Sequence, residues 1–291
     1  RGFPVCGTGK AQSPINLDKL GDTTRTEDIE SFTILEWEFA QPGEGNGKGG
    51  EHAAERPPKI FIHLPVNSRF QDPDEDSDSE ADSDSDSDSD SGFRRRLLAA
   101  VPEETRRGHV LEISNLGQVT LFAGGGKYGL RQLVTHTPSE HAIGGERADL
   151  EIQLVHHRIH GGGPGDDDDD GAESLVVSLL FSTKSAKAPP PFLATLAAAV
   201  PEVGRGEGSR HAEVRGLSLK DVAHQLAPHL RSYFRYQGSL THPPCSEGVA
   251  WFVVSDPLGI TGAQLAALRE VEGSNARPLQ SLNGRQVRYV P

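Results

Sequence analysis

The sequence contains no apolar run long enough to cross a bilayer as a helix, which excludes a helical membrane span. It has only two cysteines, Cys6 and Cys245, far apart in the chain. They are either unrelated thiols or the ends of one long-range bridge. No Asn-X-Ser/Thr acceptor occurs, which argues against heavily glycosylated export. The chain begins at Arg1 with neither an initiator methionine nor a signal-like segment. The expectation is a processed mature form from which any targeting peptide has been removed. A general basic surface is also lacking, since the formal charge is −13. That charge is local, because Asp72–Ser91 carries eleven acids and no base, and Asp166–Asp170 adds five more acids. The remainder is near neutral, so no nucleic-acid partner is expected.

What is present reads mainly as strands. Phe32–Phe39, Lys59–Leu64, His109–Ser114, Gln118–Phe122, Leu130–His136, Leu150–His156 and Ser174–Phe181 carry strand patterns. Asn115-Leu116-Gly117 looks like the turn of a hairpin joining the third and fourth of these. Tyr233–Val254 reads as strand, loop, strand. Helices are expected within Ala188–Val200 after its prolines, over Ser218–Leu230 with an apolar stripe, and over Ala263–Glu272. Asp72–Ser91 is an Asp-Ser repeat that cannot bury apolar surface to offset the entropy of ordering, and it is expected to be disordered in isolation. At 291 residues the chain can bury one large core or two modest ones.

Tyr128–His157 concentrates the chemistry. Alternate side chains of a strand share a face, so Gln132, Val134 and His136 point one way on the first strand. On the second, Leu150, Ile152 and Leu154 face a core, and Glu151, Gln153 and Val155 the opposite side. This stretch resembles the alpha-class carbonic anhydrases, most closely the plant and algal type. There the first strand reads Q-F-H-F-H-T-P-S-E-H and the second L-E-x-H-L-V-H. Gln12-Ser13-Pro14-Ile15-Asn16, Gly108-His109, Thr241-His242-Pro243-Pro244-Cys245, Asn275-Ala276-Arg277-Pro278 and Asn283-Gly284-Arg285-Gln286 match further family motifs in the same order. The resemblance implies one α+β, mainly β domain over 1–291: a central twisted, mostly antiparallel sheet of about ten strands with short peripheral helices. Residues 41–107 then form a long surface insertion, which loop-closure entropy tolerates.

The resemblance also assigns roles. The three zinc-histidine positions of the family fall on Val134, His136 and Gln153, so one imidazole remains of three. Gln132 and Glu151 match groups that orient zinc histidines. Glu140 and Thr241 match the pair that orients a zinc-bound hydroxide, and His109 the proton shuttle. Val155, Val177, Leu240 and Trp251 match the apolar wall for carbon dioxide. Each has a purely structural alternative as a buried hydrogen-bonded pair, a surface histidine or a sheet core. Cys6 and Cys245 match a family disulfide, which implies an oxidising compartment, secreted or lumenal, the thylakoid lumen included. A metal site rebuilt from His136, His141, His156, His157 and His160 is an alternative to a solvated histidine cluster.

Three functions follow as expectations. One is a carbonic-anhydrase-related protein without zinc or hydratase activity, a binding or structural subunit of a larger assembly, its pocket open to carbon dioxide, bicarbonate or a small anion. The second is a zinc carbonic anhydrase with atypical ligands. The third is an acidic matrix protein in which the Asp-Ser run binds calcium or docks a basic partner, with phosphorylation of its serines adding charge.

Overall fold

The alternation over Leu130–His136 and Leu150–His156 demands two half-buried strands side by side. The computed structural model of the chain places them together, each longer than its periodic run. It describes residues 3–18, 36–39, 59–63, 110–114, 119–123, 126–159, 172–200, 211–213, 217 and 219–291. The Asp-Ser run, Asp166–Asp170, His109 and His160 lie outside the described residues.

The described strands, in chain order, are β1 (Asn16–Leu17), β2 (Glu36–Phe39), β3 (Lys59–His63), β4 (Val110–Ser114) and β5 (Val119–Ala123). Next come β6 (Gly126–His136), β7 (Ala142–Ile143), β8 (Glu146–Arg147), β9 (Leu150–Arg158) and β10 (Ser174–Ser182). The last are β11 (His211–Glu213), β12 (Tyr233–Ser239), β13 (Glu247–Val254), β14 (Leu258–Gly259) and β15 (Arg288–Val290). Twelve form one sheet with the path β11-β3-β4-β6-β9-β10-β13-β12-β15, and β2, β5 and β14 pair alongside it. Pairing within this sheet is antiparallel except where β10 meets β13 and β14. β1, β7 and β8 make a small separate sheet. Its β7–β8 turn is Gly144-Gly145, both at positive φ, as a two-residue hairpin turn requires.

One expectation changes. The strands around Asn115-Leu116-Gly117 form, but not as a hairpin. β4 pairs with Leu133–Thr135 and β5 with Gly126–Gly129, both antiparallel to β6. They therefore run the same way along one edge of β6, because β6 has eleven residues and accommodates both. The strand expected over Lys59–Leu64, within the span 41–107, forms as β3 and pairs with β4 and β11.

The sheet separates two apolar layers. One holds Leu133, Leu150, Ile152, Leu154, Leu175, Val177 and Leu179, packed with Phe192, Leu193 and Leu196 of the helix Phe192–Ala199. Val222, Ala223 and Leu226 of the helix Leu219–Leu226, and Leu265 and Leu268 of the helix Gly262–Glu272, complete it. The other layer holds Ile15, Leu17, Val134, Val155, Val176, Leu180, Phe234, Val249, Trp251 and Val253. β10 is buried on both faces, which is why its sequence is a continuous apolar run. A Cys6–Cys245 disulfide ties the N-terminal segment to the loop after β12. It closes a separation of 239 residues, for which the chain-entropy model gives roughly 5 kcal/mol of stabilisation.

The helix Gly262–Glu272 starts with a capping box, in which the Gln264 N–H bonds the Thr261 hydroxyl and the Thr261 N–H bonds the Gln264 side chain. It ends on Glu272, wholly buried against the end of β6. Glu272 contacts the hydroxyls of Thr135 and Thr137. Burial pushes its carboxyl up to about 7, and the two hydroxyl bonds only partly oppose this. The Thr137 hydroxyl has one proton and two acceptors, Glu272 Oε2 at 3.0 Å and the Gly273 carbonyl at 2.7 Å. When it serves the carbonyl, a protonated Glu272 completes the second contact as donor.

A carboxyl raised on folding stabilises fully below its unfolded value and loses that contribution as pH rises through the folded value. The native protein is therefore expected to lose on the order of 3 kcal/mol between about pH 4.5 and pH 8 through this group. Glu272→Gln should flatten that slope in urea unfolding measured across the range. An unchanged slope in the variant would show that Glu272 does not titrate there.

Candidate functional site

The site is built on rows of side chains that cross the sheet. Residues directly opposite one another share a face. Gln132, Val155, Val176, Trp251 and Tyr236 form one such row. Val134, Gln153, Ser178, Val253 and Phe234 form the next, and His136, Glu151 and Leu180 the third. Four polar groups, His136, Glu151, Gln153 and Ser178, thus sit together on a face otherwise made, apart from Gln132, of valine, leucine and aromatics. All four are buried.

Gln153 stands at the centre. Its amide nitrogen donates to Glu140 Oε2 at 2.8 Å and to Glu151 Oε1 at 3.0 Å, so one neutral group bridges two buried carboxylates. Glu151 further accepts from the Ser178 hydroxyl at 2.7 Å, the His141 backbone N–H at 2.8 Å and His141 Nδ1 at 2.8 Å. Burial alone would raise its pKa. The adjoining His141 imidazole, by charge and hydrogen bonding, and the charge at His136 overcome that and hold it down at about 2.

The bonds continue into a ring. His141 Nε2 lies 2.6 Å from the Tyr236 hydroxyl, which lies 2.8 Å from the Ser13 hydroxyl. Arg277 donates from its guanidinium to the Ser13 carbonyl at 2.7 Å and from its backbone N–H to Glu140 Oε1 at 3.1 Å. The circuit runs Ser13, Tyr236, His141, Glu151, Gln153, Glu140, Arg277 and back to Ser13. It joins the Q-S-P-I-N segment, β9, β12 and the segment after the last helix. Such a network rigidifies a core when every member is satisfied.

His136 is the exception. It is 2 % exposed, and neither ring nitrogen has a hydrogen-bond partner among the described residues. Its Nε2 is 3.5 Å from Glu140 Oε2. The zinc shell of the resembled family does not fit this donor set. Val134 has no lone pair to give, and Gln153, its amide nitrogen held by two carboxylates, has only a neutral amide oxygen, a weak ligand for zinc. The other nearby imidazoles are committed. His141 uses both ring nitrogens, and His156, on the opposite face, bonds the Leu154 carbonyl at 2.9 Å. Burial pushes His156 down to about 3, so it is a neutral core group. Among the described residues no three His, Cys, Asp or Glu side chains are grouped to hold a metal ion.

The remaining site residues divide. Val155 and Trp251 pack in one cluster, with Leu240 against it. Val177 does not belong there. It faces Leu154 in the opposite layer, and Val176 is the residue beside Val155. A shift of one residue along a strand changes the face. Thr241 is buried, but no Glu140–Thr241 hydrogen bond occurs, since the Glu140 oxygens take Gln153 and Arg277. Gln132 is half-buried, without a side-chain hydrogen bond among the described residues. Sequence reasoning assigned no role here to Ser13, Tyr236, Arg277 or Ser178. The one local signal was Ser178, a hydroxyl interrupting an apolar strand.

Removing the bridge should be costly. Gln153→Leu leaves two buried carboxylates short of a shared donor and is expected to destabilise by about 2–4 kcal/mol in denaturant unfolding. Ser178→Ala, which leaves Glu151 three donors, should cost about 1 kcal/mol. A Gln153→Leu loss no greater than that of Ser178→Ala would refute the bridge.

Known proteins resemble this chain in sequence and in fold. The eukaryotic-type carbonic anhydrase family model matches residues 103–291. Alpha carbonic anhydrase 8 of Arabidopsis thaliana is 35% identical over 167 residues, 56% of this chain and 38% of that protein. Alpha carbonic anhydrase 4 of the same plant is 31% identical over 190 residues, 63% of this chain and 62% of that protein. The matches thus span less than two thirds of those relatives' lengths. The alpha-carbonic anhydrase of Photobacterium profundum superposes with a TM-score of 0.61 at 26% identity, covering 98% of this chain and 92% of that one. A dioscorin complexed with ascorbate superposes with a TM-score of 0.62 at 24% identity, covering 99% and 89%, and supports the fold alone. The fold is that of the alpha carbonic anhydrases, and the chain belongs to the eukaryotic-type carbonic anhydrase family.

Proposed function

We propose that this is a carbonic-anhydrase-related protein that does not hydrate carbon dioxide through zinc and serves as a binding or structural subunit of a larger assembly. The observation that carries the first half is the Gln153 amide, bound between Glu140 and Glu151 at a position where the resembled family has a zinc histidine. With Val134 at a second such position, one imidazole remains where a tetrahedral zinc site needs three protein ligands and a water. Glu140 is turned to Gln153 and Arg277 instead of Thr241, so the pair that would orient a hydroxide is also unmade.

A binding role draws support from the surface. Phe3 and Val5 on the N-terminal segment and Leu279 and Leu282 on the C-terminal one are exposed. Hydrogen bonds from Gln280 to Pro14 and from Asn283 to Lys10 hold these segments side by side. The Asp-Ser run adds a strip of one charge for a basic partner or calcium. The disulfide fits an oxidising compartment, and a secreted or lumenal site is part of this reading.

A second reading rests on His136. A buried imidazole with both nitrogens unpartnered among the described residues keeps a lone pair uncommitted, as a ligand of a zinc enzyme with atypical ligands would. Stopped-flow hydration assays separate the two. No rate above the uncatalysed one is expected with or without added zinc, and Val134→His with Gln153→His together should gain zinc binding and measurable hydration. Zinc-dependent hydration by the unaltered chain would overturn the proposal in favour of the second reading. Native mass determination in the source extract tests the assembly role, where a free monomer would count against it.

A further inference from the structure

One buried carboxyl stands outside the polar ring, yet its neighbours in the chain lead into it. Thr135 and Thr137 share a face of β6, with His136 between them on the other. Both threonine hydroxyls meet Glu272, at the end of the helix Gly262–Glu272. The chain then turns and lies along β6. The Asn275 N–H donates to the Thr137 carbonyl at 3.2 Å, and the Asn275 side-chain oxygen accepts from the Thr137 N–H at 2.9 Å. The Asn275 amide nitrogen donates to the Thr135 carbonyl at 3.1 Å. Two residues on, Arg277 enters the ring through Glu140 and Ser13.

The protons at this corner suffice only when Glu272 is neutral. Thr135 then donates to Oε1, Oε2 donates to the Thr137 oxygen, and Thr137 donates to the Gly273 carbonyl. An ionised Glu272 leaves one Thr137 proton for two acceptors, so a buried oxygen goes without. No cation compensates the carboxylate among the described residues. Arg269 and Glu270, on its own helix, are exposed, and Arg269 acts on Asp149. Opposite Thr135 the register sets Ile152 on β9 and Leu111 on β4. His136 and Glu151 are opposite one another on the other face of the sheet, and Glu140 bonds Gln153 there. The Arg277 guanidinium is turned to Ser13, Gln12 and the Cys6 carbonyl.

We propose that Glu272 is a pH-operated latch, which fastens residues 273–277 to the end of β6 while neutral and releases them, with the hold of Arg277 on Glu140, when it ionises. Burial supports the closed form as the protonated one, since it pushes the carboxyl up to about 7 from an ordinary value of 4.5. Closed, the latch binds a proton that the open form loses above about pH 4.5. Opening therefore grows up to about tenfold per pH unit from there to about pH 7, and levels off above. The exposed Leu279 and Leu282 lie just beyond the released stretch, so its release loosens the apolar surface they offer.

Hydrogen exchange of the whole chain, resolved to single amides, tests this. The reporters are the Asn275 and Arg277 N–H groups, whose acceptors are Thr137 and Glu140. After correction for the intrinsic effect of pH, both should exchange at least ~10-fold faster at about pH 7 than at about pH 5. Low urea should leave that rate unchanged, whereas amides of β10 and β13 exchange more slowly and accelerate in urea, as global unfolding requires. Glu272→Gln carries a donor and an acceptor as the neutral acid does, and should abolish the pH dependence at both reporters. Equal corrected rates at the two pH values in the unaltered chain would overturn the proposal. So would reporters that open only in step with β10 and β13, or a Glu272→Gln protein that keeps the acceleration.

Discussion

One amide between two carboxylates organises the centre of this protein. Two buried glutamates a few ångströms apart repel each other and would protonate, move apart or require a cation. Gln153 offers a neutral solution, donating to Glu140 and Glu151 at once. Its neighbours fit that solution. Ser178 lies opposite Gln153 and gives Glu151 another proton, and Val134, on the other side, fills space without competing for a bond.

The consequences reach beyond the pocket. Through Glu151 the bridge connects to His141, Tyr236 and Ser13, and through Glu140 to Arg277, which returns to Ser13. The disulfide from Cys6 to Cys245 fastens the same N-terminal segment from outside. Elements far apart in sequence are thereby held by charge-assisted hydrogen bonds in a region of low dielectric, where such bonds are strong and their loss is expensive. The ring is sufficient reason to retain Glu140, Glu151 and His141 without chemistry. His136 is the residue that this structural explanation leaves over.

Much of this was legible in the sequence, and the limits have physical causes. The period-2 pattern of β6 and β9 assigned faces correctly because one face is polar, so Val134, His136, Glu151 and Gln153 were grouped before any coordinates. β10 is apolar on both faces, so periodicity carries no face information there, and Val177 was placed one residue from Val176. Asn115-Leu116-Gly117 has turn composition, but composition does not reveal that one long neighbour, β6, takes both flanking strands. The roles of Ser13, Tyr236 and Arg277 depend on contacts between residues 95 to 264 positions apart, which no local signal encodes.

The metal content of the native protein, purified without chelators and measured by elemental mass spectrometry against protein concentration, bears most directly on the bridge. Zinc far below one equivalent per chain is expected if the Gln153 amide stands in for a metal ligand. One tightly held zinc per chain would contradict it, because one imidazole and a neutral amide oxygen are too few and too weak a set to hold the ion.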